Sequence, residues 1–248
     1  MFERILTISV ICLVAGFVAF QWLNKSSDAG RARGRNLKLF TYIFITALMY
    51  AGIAFLPWLL YILTALIILL AVREINHVSA EAGRLPWVAY LIALPVFYLF
   101  VLFIQKPQSP VQLFVYFIII NFDGYSQITG ELFGRHLLFP AISPAKTREG
   151  LLGGTLVAVV LTLLMWPYFP QGTTLVEIIL FTLYIVAFGF AGDVLASWYK
   201  RVCGVKDYSA LIPGHGGILD RFDSFVMAGA GIQLAQWAAG TFFPLPAL

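Results

Sequence analysis

Long apolar runs constrain this chain more than any other feature. Eight of them lie between short polar stretches, at 4–22, 37–53, 55–72, 86–104, 109–124, 151–168, 174–192 and 222–243. A helix needs about 20 residues to cross the hydrocarbon core of a bilayer. Non-helical backbone facing lipid would leave amide groups unpaired, and the runs do not alternate as barrel strands do. The sequence therefore predicts an all-α integral membrane protein with about eight transmembrane helices. Composition agrees: 60% of the 248 residues are hydrophobic and 11% are charged, where a soluble domain carries about 25% charged residues. Between the second and third runs stands Leu56-Pro57, and proline favours a break there. Gly154, Gly189, Gly192, Gly229 and Gly231 lie in or beside the runs, where small residues permit close helix contact. The first run, behind Arg4, is longer than a secretory signal core and reads as a retained helix.

The basic residues support this count. With loop 23–36 on the cytoplasmic side, fourteen of the sixteen lysines and arginines fall on that side, and only Arg4 and Lys106 fall on the other. That asymmetry is the expected topology signal, and it puts both termini away from the cytoplasm. The net charge of +4 reads as this topology bias. There is no zinc-finger spacing, basic tail or basic heptad region, so nucleic acid is not an expected partner. Cys12 and Cys203 say little about redox compartment.

Polarity collects in two cytoplasmic segments, 122–150 and 193–223. The chain divides accordingly into N-terminal transmembrane helices, 1–108, and a C-terminal membrane catalytic region, 109–248. In the second segment Asp193 ends an apolar run, where an ionised group is costly unless it is paired or useful. If the helix continues, Asp193, Ser197 and Lys200 share a face, as do Asp220 and Asp223. Clustered carboxylates suit Mg²⁺, which often sits between carboxylates and substrate phosphates. Lys200, Arg201, Lys206 and Arg221 suit a polyphosphate. Gly214, Gly216 and Gly217 flank His215, and glycines let backbone amides approach an anion. In the first segment Asp123 is another carboxylate at the end of a run, Gly130 and Gly134 are spaced for tight packing, and Ser143, Lys146 and Thr147 are suited to phosphate.

Each of these groups also has a plain structural reading. Asp193 with Lys200 makes an ion pair at the membrane edge. Lys200 and Arg201 serve as topology residues. Asp220 caps a solvated helix start, and His215 hydrogen-bonds locally. The first segment is an interfacial linker whose Lys146 and Arg148 touch anionic headgroups. The whole group together is harder to explain this way than any member alone, and it points to phosphoryl or nucleotidyl transfer.

Two blocks are recognisable. The stretch from Ser197-Trp-Tyr-Lys200-Arg201 through Lys206-Asp207 to Pro213-Gly-His215-Gly-Gly-Ile-Leu-Asp220-Arg221-Phe-Asp223 resembles the signature of the phosphatidate cytidylyltransferases, or CDP-diglyceride synthases. Ile142-Ser-Pro-Ala-Lys146-Thr-Arg-Glu149-Gly150 is similar to that family's second block. The resemblance implies transfer of CMP from CTP to phosphatidate, giving CDP-diacylglycerol and pyrophosphate, with Mg²⁺ as cofactor. It implies Asp193 and Asp220 as metal positions with Asp223 in support, and catalytic roles for Asp193, Lys200, Arg201, Asp220 and Asp223. Substrate contacts are implied for Asp123, Ser143, Lys146, Ser197, Lys206, Asp207, His215, Gly216, Gly217 and Arg221. The chain departs from the family pattern after Asp123, where Gln127 stands for an expected tyrosine and Glu131 for an expected basic residue.

The expected partners are CTP, phosphatidate and the lipid bilayer, with a homodimer open to the assembly. The expected location is a bacterial inner membrane, with the site facing the cytoplasm. Rival readings are another membrane lipid-phosphate transferase or lipid kinase, and a polytopic transporter. A transporter would place polar groups near the midplane and often show an internal repeat; here polarity sits at one edge. On this reading, Asp220→Asn abolishes most turnover and leaves the protein folded.

Overall fold

The computed structural model describes residues 2–24, 29–84, 86–105, 109–212 and 216–239. Its helices are α1 (Phe2–Asn24), α2 (Ala29–Ala54), α3 (Pro57–Glu81), α4 (Trp87–Ile104), α5 (Pro110–Phe133), α6 (Arg148–Leu164), α7 (Leu175–Val202) and α8 (Leu219–Ala239). The all-α expectation holds, with one small hairpin beside the helices. Residues Leu137–Phe139 (β1) and Ser143–Thr147 (β2) form a small antiparallel hairpin between α5 and α6, pairing Leu137 with Thr147 and Phe139 with Ser143. Among the described residues three helices, α3, α4 and α7, are long and apolar enough to cross a membrane, and Leu39–Ala54 forms a shorter apolar helix.

Local chemistry sets the helix starts. Pro57 opens α3 and Pro110 opens α5, at a position where the missing N–H costs nothing. Thr147 caps α6 by accepting the Gly150 N–H at 3.0 Å. Thr174 and Glu177 make a reciprocal capping box on α7. At the same end of the molecule Arg4 Nε donates to the Tyr168 hydroxyl at 3.1 Å, joining the start of α1 to the α6–α7 connection.

Helix α5 is the hub. Every residue from Val111 to Phe122 is buried, as expected of a helix that is apolar all round. It packs against α1, α2, α6, α7 and α8. Phe114 stacks on Phe181 of α7, and Tyr116 meets Phe225 of α8 edge-on. Helix α8 also packs against α3, α4 and α7. Gly192 lets α7 and α8 approach closely: a Cβ there would sit 2.5 Å from the Asp223 carbonyl oxygen and 2.6 Å from Met227 Cβ. The obstacle is backbone, which cannot swing aside. Gly192→Ala is therefore expected to destabilise the protein by about 1–3 kcal/mol and to shift α8, measurable as a lower melting temperature in detergent.

Candidate active site

The polar ends of α5, α7 and α8, together with β2, close around one cavity of about 370 Å³. Helix continuity produces this. Helix α7 does not stop at the end of its apolar run near residue 192 but continues to Val202, placing Asp193 and Ser197 one turn apart, with Ser197 Oγ donating to Asp193 Oδ1 at 3.3 Å. Helix α5 likewise continues to Phe133, so Asp123 lies within it. Helix α8 begins at Leu219, which puts Asp220 and Asp223 in its first turns.

Asp123, Ser143, Lys146, Asp193, Asp220, Arg221 and Asp223 all line this cavity. Asp193 and Asp220, from different helices, thus face one space of phosphate-accommodating size. Lys146 reaches in from β2, ion-paired with Asp193 Oδ2 and over the face of Phe190, 5.3 Å from the ring centroid. Asp223 Oδ1 accepts the N–H of Ser224 at 2.7 Å. The remaining wall includes Tyr42, whose hydroxyl donates to the Ile120 carbonyl at 2.6 Å, and Gln127, whose amide donates to Glu131 at 3.0 Å. The two positions that depart from the family pattern are therefore bonded to each other, with Gln127 on the cavity wall.

The partner of Lys200 is not Asp193. Lys200 Nζ donates to Asp220 Oδ1 at 2.5 Å and lies 5.4 Å from the Tyr208 ring centroid. Asp220 Oδ2 accepts the N–H groups of Tyr208 at 2.9 Å and Gly217 at 2.8 Å. Gly216 adopts φ +82°, a conformation open to glycine, and a Cβ there would lie 2.8 Å from Asp220 Oδ2. Gly216 and Gly217 therefore wrap Asp220 and are not part of the cavity wall. Asp207 backs onto Gly216 from the exposed side, and Lys206 is exposed. Arg201 is also exposed; its guanidinium donates to the carbonyls of Ile142 at 2.9 Å and Val205 at 3.1 Å, fastening the hairpin turn to α7. His215 lies outside the described residues.

A second clasp holds the hairpin from the other side. Glu149 accepts the N–H of Arg135 at 3.0 Å and of His136 at 3.2 Å, and its other oxygen lies 2.5 Å from the His136 ring. The Arg135 N–H, followed by the His136 ring, holds this carboxyl down to about 2. Gly130 and Gly134 pass close to Thr147, so the end of α5 lies against the start of α6.

The donor set bears on a metal. Among the described residues no group of three His, Cys, Asp or Glu converges to hold an ion by itself. Mg²⁺ is commonly held by one or two carboxylates completed by water and substrate phosphate, and Asp193 and Asp223 on the cavity wall fit that pattern. Asp220, already accepting three hydrogen bonds, fits it less well and is better suited to holding Lys200 and the glycine turn in place.

Sequence reasoning did not single out Glu74 of α3. It is 4% exposed and accepts hydrogen bonds from Ser209, Ile218 and Leu219. The available signal was an acid directly after Arg73, just past the third apolar run.

A family model described as Cytidylyltransferase family matches residues 1–237. Among curated proteins, the phosphatidate cytidylyltransferase of Staphylococcus saprophyticus subsp. saprophyticus is 41% identical over 114 residues, covering 46% of this chain and 44% of that protein. Those of Staphylococcus epidermidis and Staphylococcus aureus are 43% identical over 114 residues and 44% identical over 115, with the same coverage. The chain spans somewhat under half the length of the curated relatives it matches.

Proposed function

This chain belongs to the Cytidylyltransferase family, and on that premise we propose that it transfers CMP from CTP to phosphatidate, giving CDP-diacylglycerol and pyrophosphate. The observation that carries the proposal is that one cavity in an apolar helical body is lined by Asp123, Asp193, Asp220, Asp223, Lys146 and Arg221 together. Bringing two anions together is the main difficulty of this reaction. A phosphate oxygen of phosphatidate forms a bond to the α-phosphorus of CTP, and the bond to the β-phosphate bridging oxygen breaks as pyrophosphate leaves. A phosphate monoester is mostly ionised near neutral pH, its second pKa being about 6, so a strong protein base is not required.

Lys146 and Arg221 hold phosphate oxygens and stabilise the charge that develops during transfer. Asp193 fixes the Lys146 amine through its ion pair, and Ser197 orients Asp193. Lys200 acts from behind the wall by holding Asp220. Asp193 and Asp223 would hold Mg²⁺, which when bound would screen the repulsion between the two substrates. The eight helices would each cross a bacterial inner membrane, with the cavity at the cytoplasmic end and both chain termini on the opposite side. Acyl chains would then remain in lipid while the headgroup enters.

The test is an assay of purified protein with labelled CTP, other nucleotides and a panel of phospholipids, with and without Mg²⁺. The expected product is a cytidylylated lipid formed from CTP and phosphatidate and lost on chelation. A phosphorylated lipid without cytidine would instead support a lipid kinase.

A further inference from the structure

We propose that Glu74 is a positioning residue: its carboxylate clamps the start of α8 and so sets where Asp220 and Asp223 stand. This rests on the nucleotidyl-transfer reading above and adds a residue of α3 to it. Glu74 Oε1 accepts the Ser209 hydroxyl at 2.7 Å and the Ile218 N–H at 2.9 Å, and Oε2 accepts the Leu219 N–H at 2.9 Å. Gly217 is packed against the same carboxylate: a Cβ there would lie 2.6 Å from Glu74 Cδ.

A buried carboxylate is costly unless its charge is compensated. The ion pairs among the described residues join Lys146 to Asp193, Lys200 to Asp220, and two histidines to Glu81 and Glu149; none involves Glu74. Its compensation comes from three donors and from the positive end of α8. The benefit is mutual, because the first N–H groups of a helix have no partner within it. Leu219, the first residue of α8, and the two residues before it, Gly217 and Ile218, direct three successive N–H groups at carboxylates: Gly217 at Asp220 within α8, Ile218 and Leu219 at Glu74 of α3. Without Glu74 two backbone donors, one buried and one part-buried, are orphaned, and the turn that presents Asp220 and Asp223 to the cavity has lost its external anchor. Glu74 itself is not on the cavity wall, so its effect passes through geometry. A displacement of about 1 Å at a reacting centre can cost about a hundredfold in rate.

Glu74→Gln preserves shape but turns an NH₂ toward one of the two backbone donors. We expect kcat for CMP transfer to fall about 30- to 100-fold while KM for CTP stays within about threefold. The Ile218 and Leu219 amides should exchange hydrogen faster, with α5 amides unchanged. Glu74→Asp, which keeps both acceptors, should recover at least about tenfold of the lost kcat. A Glu74→Gln protein with wild-type kcat and unaltered exchange would overturn the proposal. So would equal kcat losses in both variants that merely follow melting temperature. Should Glu74→Gln not fold, Ser209→Ala removes one donor more mildly: a fall in kcat of about three- to tenfold supports the clamp and an unchanged kcat overturns it. If the wild-type protein forms no cytidylylated lipid, the functional reading fails, and the exchange of Ile218 and Leu219 in Glu74→Gln alone decides the clamp.

Discussion

Asp223→Asn is expected to lower turnover about a thousandfold, the equivalent of about 4 kcal/mol of transition-state stabilisation, while leaving the melting temperature nearly unchanged. The two halves of this expectation have separate causes. Asp223 Oδ1 accepts the Ser224 N–H, and the asparagine side-chain oxygen can accept it equally well, so the local fold has little reason to change. The negative charge, however, is lost from a wall where Asp123, Asp193 and Asp223 stand together. If that charge gathers a divalent cation between the two anionic substrates, chemistry suffers and folding does not. Incorporation of labelled CTP into lipid measures the first, and thermal unfolding in detergent the second. Near-normal incorporation would remove Asp223 from the reaction.

Asp220→Asn should behave differently. The sequence reading foresees lost turnover in a folded protein, but the geometry adds a stability cost. Asp220 is the ion-pair partner of Lys200, with the two side chains only 2% and 10% exposed. Removing one member of a buried pair costs about 3–5 kcal/mol, because the other charge is left uncompensated. The substituted amide would also present an NH₂ group to a pocket of three donors. We therefore expect both a large fall in turnover and a melting temperature clearly lower than that of Asp223→Asn. Lys200→Met combined with Asp220→Asn should restore part of the stability and none of the activity. Equal melting temperatures for the two single variants would contradict the paired arrangement.

The contrast between these aspartates marks how far the sequence could be read. Helix order and the break at Leu56-Pro57 were legible because apolar runs report on local structure, whereas the gathering of Asp193, Asp220 and Lys146 from three separate elements was implied by the family resemblance and not by spacing. Helix ends were less legible. The last turns of α5, α7 and α3 carry polar residues, and hydropathy records the medium around a segment, not whether it is helical. The hairpin was missed because strands of three and five residues, one of them containing Pro144, are too short for a period-two pattern to emerge. The partner of Lys200 was missed for another reason. Helical spacing puts Lys200 on a face with Asp193, but a long flexible side chain takes the carboxylate that tertiary packing brings closest, and here α8 supplies it. The bond from Glu74 to Leu219 spans most of the chain, and no local pattern announces such a contact.

Asp223 also lines a second, smaller and mostly apolar hollow between α4, α7 and α8, with Phe97, Val226 and Met227. Asp223 thus belongs to both linings, so an apolar recess and the polar cavity border on the same side chain. A change at that side chain is therefore felt on both sides at once, in the greasy space as well as in the charged one.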